Sequence, residues 1–398
     1  MDAWSFRTLN ELCATITVGH VSSMAGEYLP SGIPFLRSKN VRPGRLDLTD
    51  LAYVGSDFHH RLKKSRLLAN DIVIVRTGTP GAAALIPDGF GEANCSDIII
   101  ARPTKQVSPR FLCYAINATA GSFVSAHTVG AVQQHFNIGS ARKLQIHTPP
   151  LHEQQAIAEV LGSLDDKIAL NSSLVVNARS LGLAQLRRAL ATLPVRRHKI
   201  SDITSCLTRG GAPKYTGPEA GIPVVNQKCV RDGHVDLTKA RFTTPPKSRA
   251  DRFLQTGDVL VNSTGVGTLG RVARWSLDEQ VTVDSHVTIV RFDPERVDPM
   301  VGAYAMLLSQ PLIENMGEGS TGQTELSRAK LASFPLAVPA EAVATLRLRG
   351  ILQSLEDSIF AARAENHTLT ALRDTLLPQL VTGKIRVKDA EQIVEDAA

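Results

Sequence analysis

An internal repeat constrains this 398-residue chain more than any single motif does. The stretch "SGIPFLRSKNVRPGRLDLT" (Ser31–Thr49) recurs as "AGIPVVNQKCVRDGHVDLT" (Ala220–Thr238), 189 residues later. The stretch "SDIIIAR" (Ser96–Arg102) recurs as "SHVTIVR" (Ser285–Arg291) at the same spacing of 189. A repeat of this length with almost constant spacing predicts two copies of a whole domain, because a solenoid would repeat over a few tens of residues.

Each copy has the same internal order of patterns. Short apolar runs come first ("DIVIV", "DIIIA", "DVLVN", "VTIVR"), separated by Gly, Pro and Asn turns that are typical of strands. Proline then closes each globular part, at Thr148–Pro150 and at Val338–Ala340, and a long helical pattern follows. The sequence therefore predicts an α+β fold.

Both long patterns place apolar residues at alternating steps of three and four, which is the spacing of a helix–helix seam. The predicted seam residues are Ile157, Leu161, Leu164, Ile168, Leu348, Leu352, Leu355 and Ile359. Asn171 and Asn366 continue the two seams, where a buried amide helps to fix register. We expect an antiparallel coiled coil whose first helix is about 60 Å long. The alternative is that each helix packs only on its own domain.

The predicted architecture has two tandem α/β domains, separated by two long helices, with an internal pseudo-two-fold repeat. The boundaries are 1–150 for the first domain, 151–193 for the central helix, 194–339 for the second domain and 340–398 for the C-terminal helix and tail.

Composition leaves the class of partner open. Lys and Arg number 44 against 38 Asp and Glu, a net charge of +6 that permits a polyanionic partner without requiring one. The N-terminus lacks the pattern of a secretory signal, no apolar run is long enough to span a bilayer, and the five cysteines are scattered. We expect a cytoplasmic protein with no membrane association and with structural thiols.

Motifs of catalysis are missing from the sequence. It contains no phosphate-binding Gly-x-x-x-x-Gly-Lys loop, no His-Glu-x-x-His and no Gly-x-Ser-x-Gly. Asp165 and Asp166 are adjacent on a helix, so their side chains diverge, and we interpret the pair as a solvated helix flank and not as a metal pair. We predict no catalytic residue and no metal ligand, so the chain is not expected to be an enzyme by itself.

Two phrases resemble a known family. "PPLHEQQAIAEVLGSLDDKIALN" (Pro149–Asn171) resembles the central helix of specificity subunits from type I restriction–modification systems, and "LLPQLVTGKIRV" (Leu376–Val387) resembles the end of their second helix. The start of the second helix departs from the pattern, because "PAEAVATLR" (Pro339–Arg347) lacks the Glu-Gln-Gln of the first.

The resemblance implies a non-catalytic subunit that reads a two-part sequence in double-stranded DNA, one half-site per domain, with the helices setting the spacer. It also implies docking of two methyltransferase subunits and, through them, restriction subunits. S-adenosylmethionine, ATP and Mg would then be bound by those partners, and this chain would carry no cofactor.

Polar residues at matching places in both copies are candidates for contact with DNA, because Arg and Lys recognise guanine and Asn and Gln recognise adenine. They lie in three loops: the first at 37–40 and 226–228, the second at 76–79 and 262–265, the third at 133–135 and 322–324. The candidates are Arg37, Ser38, Lys39, Asn40, Arg76, Thr77, Gln133, Gln134, Asn226, Gln227, Lys228, Asn262, Thr264 and Gln323. The alternative for any one of them is an ordinary solvated turn.

Two basic stretches, His59–Arg66 and Lys247–Arg252, could contact phosphates or form solvated helix faces. A different function also stays open at this point. The repeated domains could belong to a structural adaptor that binds protein or a polyanion without sequence specificity.

Overall fold

The computed structural model of the chain describes residues 4–126, 136–245, 252–318 and 324–397. It divides into two compact units. Unit 1 comprises Met1–Leu170 with Asn366–Ala398, and unit 2 comprises Asn171–Glu365. Both boundaries fall inside the long helices, so each helix contributes one part to each unit.

The helices are α1 (Leu9–Leu12), α2 (Ser56–Arg61), α3 (Pro109–Ala126), α4 (Ile138–Lys143), α5 (Leu151–Thr192), α6 (Pro299–Leu308), α7 (Gln310–Glu314), α8 (Arg328–Ala332), α9 (Ala342–Val381) and α10 (Val387–Ala397). The two long helices are α5, with 42 residues, and α9, with 40. Short 3-10 turns lie at Ser38–Asn40, Lys63–Ser65, Ile200–Ile203, Pro218–Ala220 and Leu237–Lys239.

The strands of unit 1 are β1 (Ser5–Thr8), β2 (Cys13–Val18), β3 (Tyr28–Leu29), β4 (Ile33–Leu36), β5 (Val41–Arg42), β6 (Arg45–Leu46), β7 (Ala52–Val54), β8 (Arg66–Leu67), β9 (Ile72–Val75), β10 (Ala83–Leu85), β11 (Ala93–Cys95), β12 (Ile98–Pro103) and β13 (Gln145–Thr148). They form an antiparallel sheet of order β10-β9-β12-β2 and a mixed sheet of order β3-β7-β4-β11-β8, in which β4 and β11 are parallel. β1 pairs with β13, and β5 with β6.

The strands of unit 2 are β14 (Val195–Lys199), β15 (Thr204–Arg209), β16 (Ile222–Val225), β17 (Val230–Arg231), β18 (His234–Val235), β19 (Arg241–Thr243), β20 (Val259–Asn262), β21 (Val272–Arg274), β22 (Thr282–Val283), β23 (Val287–Phe292) and β24 (Pro335–Pro339). The order β21-β20-β23-β15 repeats the antiparallel sheet of unit 1, and β19-β16-β22 repeats the centre of its mixed sheet, with β16 and β22 parallel. β14–β24 and β17–β18 repeat the two-stranded pairs. The sequence repeat is therefore a repeat of topology.

Central strands are apolar on both faces because both faces are covered. All four residues of β9 and all four of β20 are buried. One face of the β9 sheet packs on α3 and on the long helices, and the core there joins Phe111 with Leu161 of α5 and Leu376 of α9. The corresponding core of unit 2 joins Tyr304 of α6 with Leu186 of α5 and Leu352 of α9. Each long helix therefore packs on both the other helix and a globular part.

The paired helices run in opposite directions, as the sequence predicts. In unit 1, Arg373 bonds Asp165 and the Asn366 amide donates to the Ile168 carbonyl oxygen (3.2 Å). In unit 2, the Asn171 amide donates to Glu365 (2.7 Å). The antiparallel coiled coil and the α+β class are confirmed.

Six of the predicted seam residues are buried, and Ile168 and Leu355 are half-buried. The acidic pair corrects the sequence interpretation. Asp166 is exposed, but the Asp165 carboxylate is half-buried, because Tyr114 of α3 and Arg373 of α9 both donate hydrogen bonds to it (2.5 and 2.8 Å). Asp165 is therefore a packing residue and not part of a solvated flank.

Candidate nucleic-acid interface

The first loop of unit 1 is closed by a buried amide. Asn40 is 1% exposed, and its Oδ1 accepts the backbone N–H of Arg37 (3.0 Å). Its Nδ2 donates to the carbonyl oxygens of Asp47 (2.9 Å) and Asp50 (3.1 Å). These bonds satisfy the amide within the loop, so Asn40 holds the turn on which its neighbours are presented.

Arg37 and Lys39 extend from this turn towards one carboxylate. Arg37 donates to the Asp50 carbonyl oxygen (2.9 Å) and lies 3.6 Å from its carboxylate, and Lys39 donates to the same carboxylate. The hydrogen bond and charge of Lys39, followed by Arg37, hold the pKa of Asp50 below its ordinary value. Because the carboxylate is 72% exposed, the ion pairs contribute little to stability, and both cations can exchange it for a phosphate or a base.

The second loop meets the first at Asp97. Arg76 donates to the Asp97 carboxylate (2.7 Å), and the Ser38 hydroxyl donates to the Asp97 carbonyl oxygen (3.4 Å). Thr77 follows Arg76 and is half-buried. The N–H of Phe136 donates to the Arg76 carbonyl oxygen (2.9 Å), so the chain returns to this place after the third loop. Gln133 and Gln134 of the third loop lie outside the described residues.

The first loop of unit 2 has the same geometry with other side chains. The Asn226 N–H donates to Cys229 Sγ (3.5 Å), as the Arg37 N–H does to Asn40. The Asn226 amide donates to the Lys239 carbonyl oxygen (2.9 Å), and its Oδ1 accepts the N–H of Lys228 (2.8 Å). Lys228 itself is exposed.

In unit 2 the first and second loops contact each other directly. Asn262 is fully buried, and its Nδ2 donates to the carbonyl oxygens of Gln227 (2.9 Å) and Thr268 (3.1 Å). The Thr264 hydroxyl lies within hydrogen-bond distance of Gln227 Oε1 (3.4 Å) and His286 Nδ1 (2.7 Å). The structure thus brings three of the predicted residues, Gln227, Asn262 and Thr264, together with His286.

A backbone hydrogen bond also holds the segment after the third loop beside this group. The Leu326 N–H donates to the Ser263 carbonyl oxygen (2.8 Å), so the chain lies beside the second loop soon after the third. Gln323 of the third loop lies outside the described residues. The Asp284 carboxylate accepts the N–H of His286 (2.8 Å), and burial raises the pKa of that carboxyl group.

Sequence reasoning missed two charge differences between the copies. Asp50 of unit 1 corresponds to Lys239 of unit 2, and Asp97 corresponds to His286, both at the spacing of 189 residues. The second difference was visible in the repeat itself, because Asp97 and His286 are the second residues of the matched "SDIIIAR" and "SHVTIVR". The same scaffold therefore presents acidic partners in unit 1 and basic ones in unit 2.

Within the described ranges, no group of three or more His, Cys, Asp and Glu could hold a metal ion. Burial raises the pKa of the Cys113 thiol to about 12 and that of Cys229 to about 11, which keeps both as thiols at neutral pH. Among the described residues, no helix is long and apolar enough to cross a membrane.

A cavity of about 360 Å³ lies in unit 1 beside the first basic stretch. It is lined by His59, Arg66, Leu67, Phe90 and Glu92 among others, and burial, followed by the charge of Arg66, lowers the pKa of His59. The lining residues include no Ser, Cys or Lys.

Several known proteins are similar to this chain. Residues 1–175 match the family model described as "Type I restriction modification DNA specificity domain". The chain is 22% identical over 420 residues to the putative type I restriction enzyme MjaX specificity subunit of Methanocaldococcus jannaschii, covering 97% of this chain and 95% of that protein.

The type I restriction enzyme EcoKI specificity subunit of Escherichia coli is 24% identical over 258 residues, which cover 57% of this chain and 54% of that protein. The fold is shared with the crystal structure of the type I restriction–modification system S subunit from M. genitalium, with a TM-score of 0.60, 17% identity and coverage of 95% and 96%. Residues 1–175 thus carry the sequence pattern of a type I restriction–modification DNA specificity domain, and over nearly its whole length the chain is similar to specificity subunits of type I restriction enzymes and shares the fold of one.

Proposed function

We propose that each unit reads one half of a two-part sequence in double-stranded DNA. The proposal rests on one observation: both units have the same arrangement of loops, but equivalent loop positions carry different side chains. A duplicated binding scaffold with different polar groups at equivalent positions is what two readers of different half-sites require.

The side chains of the two units favour different bases. Unit 1 offers Arg37, Lys39 and Arg76, and guanidinium and ammonium groups suit the O6 and N7 acceptors of guanine. Unit 2 offers the Gln227 amide, which suits the N6 and N7 groups of adenine, beside the exposed ammonium of Lys228, which suits guanine. The first half-site is therefore expected to depend mainly on G·C contacts and the second on both G·C and A·T contacts.

The long helices set the spacer and carry the partners in this proposal. Exposed apolar residues of α5 such as Leu174, Val176 and Leu181 supply contact area for a methyltransferase subunit. Two methyltransferase subunits bind S-adenosylmethionine, and restriction subunits that join them use ATP and Mg. The chain itself contributes recognition and scaffolding and carries out no chemical step.

A methylation map by long-read sequencing tests the proposal. A host carrying this chain and its methyltransferase partner is compared with a host in which this chain alone is deleted. The expected result is a two-part motif that is methylated at both halves and lost on deletion. If both proteins are expressed and associated but no methylation depends on the chain, the adaptor without sequence specificity becomes the better account.

A further inference from the structure

Unit 2 contains a buried polar cluster that joins its globular part to both long helices. Glu356 of α9 accepts the hydroxyl of Tyr304 of α6 (2.7 Å), an N–H of Arg179 of α5 and an N–H of Arg274 of β21 (3.4 Å). Tyr304 is fully buried and the Glu356 side chain is 7% exposed. We call Tyr304, Glu356, Arg179 and Arg274 the unit 2 lock.

Unit 1 contains the equivalent cluster. Asp165 of α5 accepts the hydroxyl of Tyr114 of α3 (2.5 Å) and an N–H of Arg373 of α9 (2.8 Å). Tyr114 and Tyr304 occupy the same place in the matched "VSPRFLCYAI" and "VDPMVGAYAM". Tyr114, Asp165 and Arg373 form the unit 1 lock, in which the same three types of group come from the same three kinds of element.

Burial and neighbouring charges set the protonation state of the groups in and beside each lock. Burial raises the pKa of both tyrosines, so each phenol stays protonated and donates to its carboxylate. In unit 2, burial lowers the pKa of nearby Arg363 to about 10, and the charge of Arg179 adds to this effect. A carboxylate this deep is stable only with its donors in place, so loss of one donor disturbs the whole cluster.

A hairpin connects each first loop to its lock. β5–β6 follows the first loop of unit 1 and β17–β18 that of unit 2, with turn glycines Gly44 and Gly233 at φ 75° and 73°. A Cβ on Gly44 would lie 4.0 Å from the Asp165 carboxylate, and one on Gly233 would lie 3.5 Å from Arg179 Nε. The hairpin turn therefore lies close to the lock in both units.

The hairpins are also bonded to the loops themselves. The N–H of Asp47 donates to the Asn40 carbonyl oxygen (2.8 Å), and the N–H of Asp236 donates to the Cys229 carbonyl oxygen (2.8 Å). In unit 2 the N–H of Arg274, a member of the lock, donates to the Gly233 carbonyl oxygen (3.2 Å). In unit 2 a continuous path of bonds thus runs from the first loop through the hairpin and the lock to the long helices, and in unit 1 the hairpin turn lies beside the lock.

We propose that the lock of each unit, with the hairpin turn beside it, fixes the first loop at a set position relative to the long helices and so determines half-site specificity. The lock residues act through the loop and are positioning residues, since none of them needs to touch DNA. This inference rests on the proposed function, because it assumes that the first loops read bases.

The test uses the full chain purified with its methyltransferase partner, and measures binding to the cognate duplex and to duplexes with one changed base pair in either half-site. The variants are Glu356→Gln and Tyr304→Phe in unit 2 and Asp165→Asn in unit 1. The control is Asp258→Asn, because Asp258 is 1% exposed and pairs with Arg291 within the sheet of unit 2.

Glu356→Gln and Tyr304→Phe are expected to lower discrimination at the second half-site at least fivefold and to leave the first within twofold. Asp165→Asn is expected to do the reverse, with a smaller loss because the unit 1 lock is more exposed. Asp258→Asn should lower thermal stability and leave both ratios unchanged. Tyr304→Phe keeps the ring in place, so the test survives if Glu356→Gln does not fold.

Folded unit 2 variants that retain wild-type discrimination would overturn the inference. So would equal losses at both half-sites, or the same loss in Asp258→Asn. A wild-type complex without discrimination at either half-site would instead refute the proposed function, and the two failures are thereby distinguishable.

Discussion

Exchanging Asp50 for Lys gives unit 1 the charge that unit 2 carries at Lys239. In the wild type, the Asp50 carboxylate pairs with both Arg37 and Lys39. Asp50→Lys removes that pairing and adds a third cation, while Arg37 keeps its bond to the backbone carbonyl oxygen of residue 50. Up to three cations then become available for phosphates.

The expected magnitude follows from counterion release. Each added phosphate contact steepens the slope of log K against log salt by about 0.9. Between 50 and 200 mM salt, one contact adds about a 3.5-fold loss of affinity and three contacts add roughly a 40-fold loss. The variant should therefore bind DNA more tightly at low salt and lose that gain as salt rises, with a slope steeper by about 1 to 3.

Fluorescence anisotropy with a labelled duplex at several salt concentrations measures this slope. Asp88→Lys is the matched control, because the substitution changes the net charge by the same amount at an exposed position. Asp88 lies beside Asn70, at the other end of β9 from Arg76. Equal slopes in the two variants would refute the placement of the first loop at the DNA, since only total charge would then matter.

Three further predictions concern the core, His234 and the long helices. Leu161→Ala should lower the free energy of unfolding, measured by urea titration, by about 2–5 kcal/mol. Leu170→Ala, at an exposed position of the same helix, should lower it by less than about 0.5 kcal/mol. Equal losses would contradict the packing of α5. Burial, followed by the charge of Arg363, lowers the pKa of His234 in the folded protein. The unfolded chain therefore binds a proton at this histidine more readily than the folded protein does, and the stability present above about pH 6.5 should be lost as pH falls. Urea midpoints from pH 8 to 5 should show a decline that His234→Gln weakens, and an identical decline in the variant would count against this cause. Insertion of a few residues near Asn177–Ser180 should change the spacer length in the methylation motif, whereas altered half-sites would count against the helices as the spacing element.

The tandem units and the paired helices could be predicted because their signals are local in sequence. The spacing of 189 residues aligned both copies, and the alternating steps of three and four marked the side of α5 that holds Leu161 and Leu164. The same repeat also pointed to the loops, since matched positions with different polar residues are visible without a structure.

The role of each loop residue could not be predicted, because burial depends on contacts between distant segments. Asn40 and Asn262 look like adenine readers in sequence, yet each is buried and bonded to carbonyl oxygens of its own loops. Asp165 looks solvated, yet Tyr114 reaches it from 51 residues away. Such bonds bring together residues that no spacing rule connects.

Domain exchange tests the central claim most directly. Residues 1–150 are replaced by the corresponding domain of another specificity subunit with a known motif, and the methylation motif of the resulting complex is mapped. The account predicts that one half of the motif changes to that of the donor and the other half stays as in the wild type. A change in both halves, or in neither, would contradict the claim that each unit reads its own half-site.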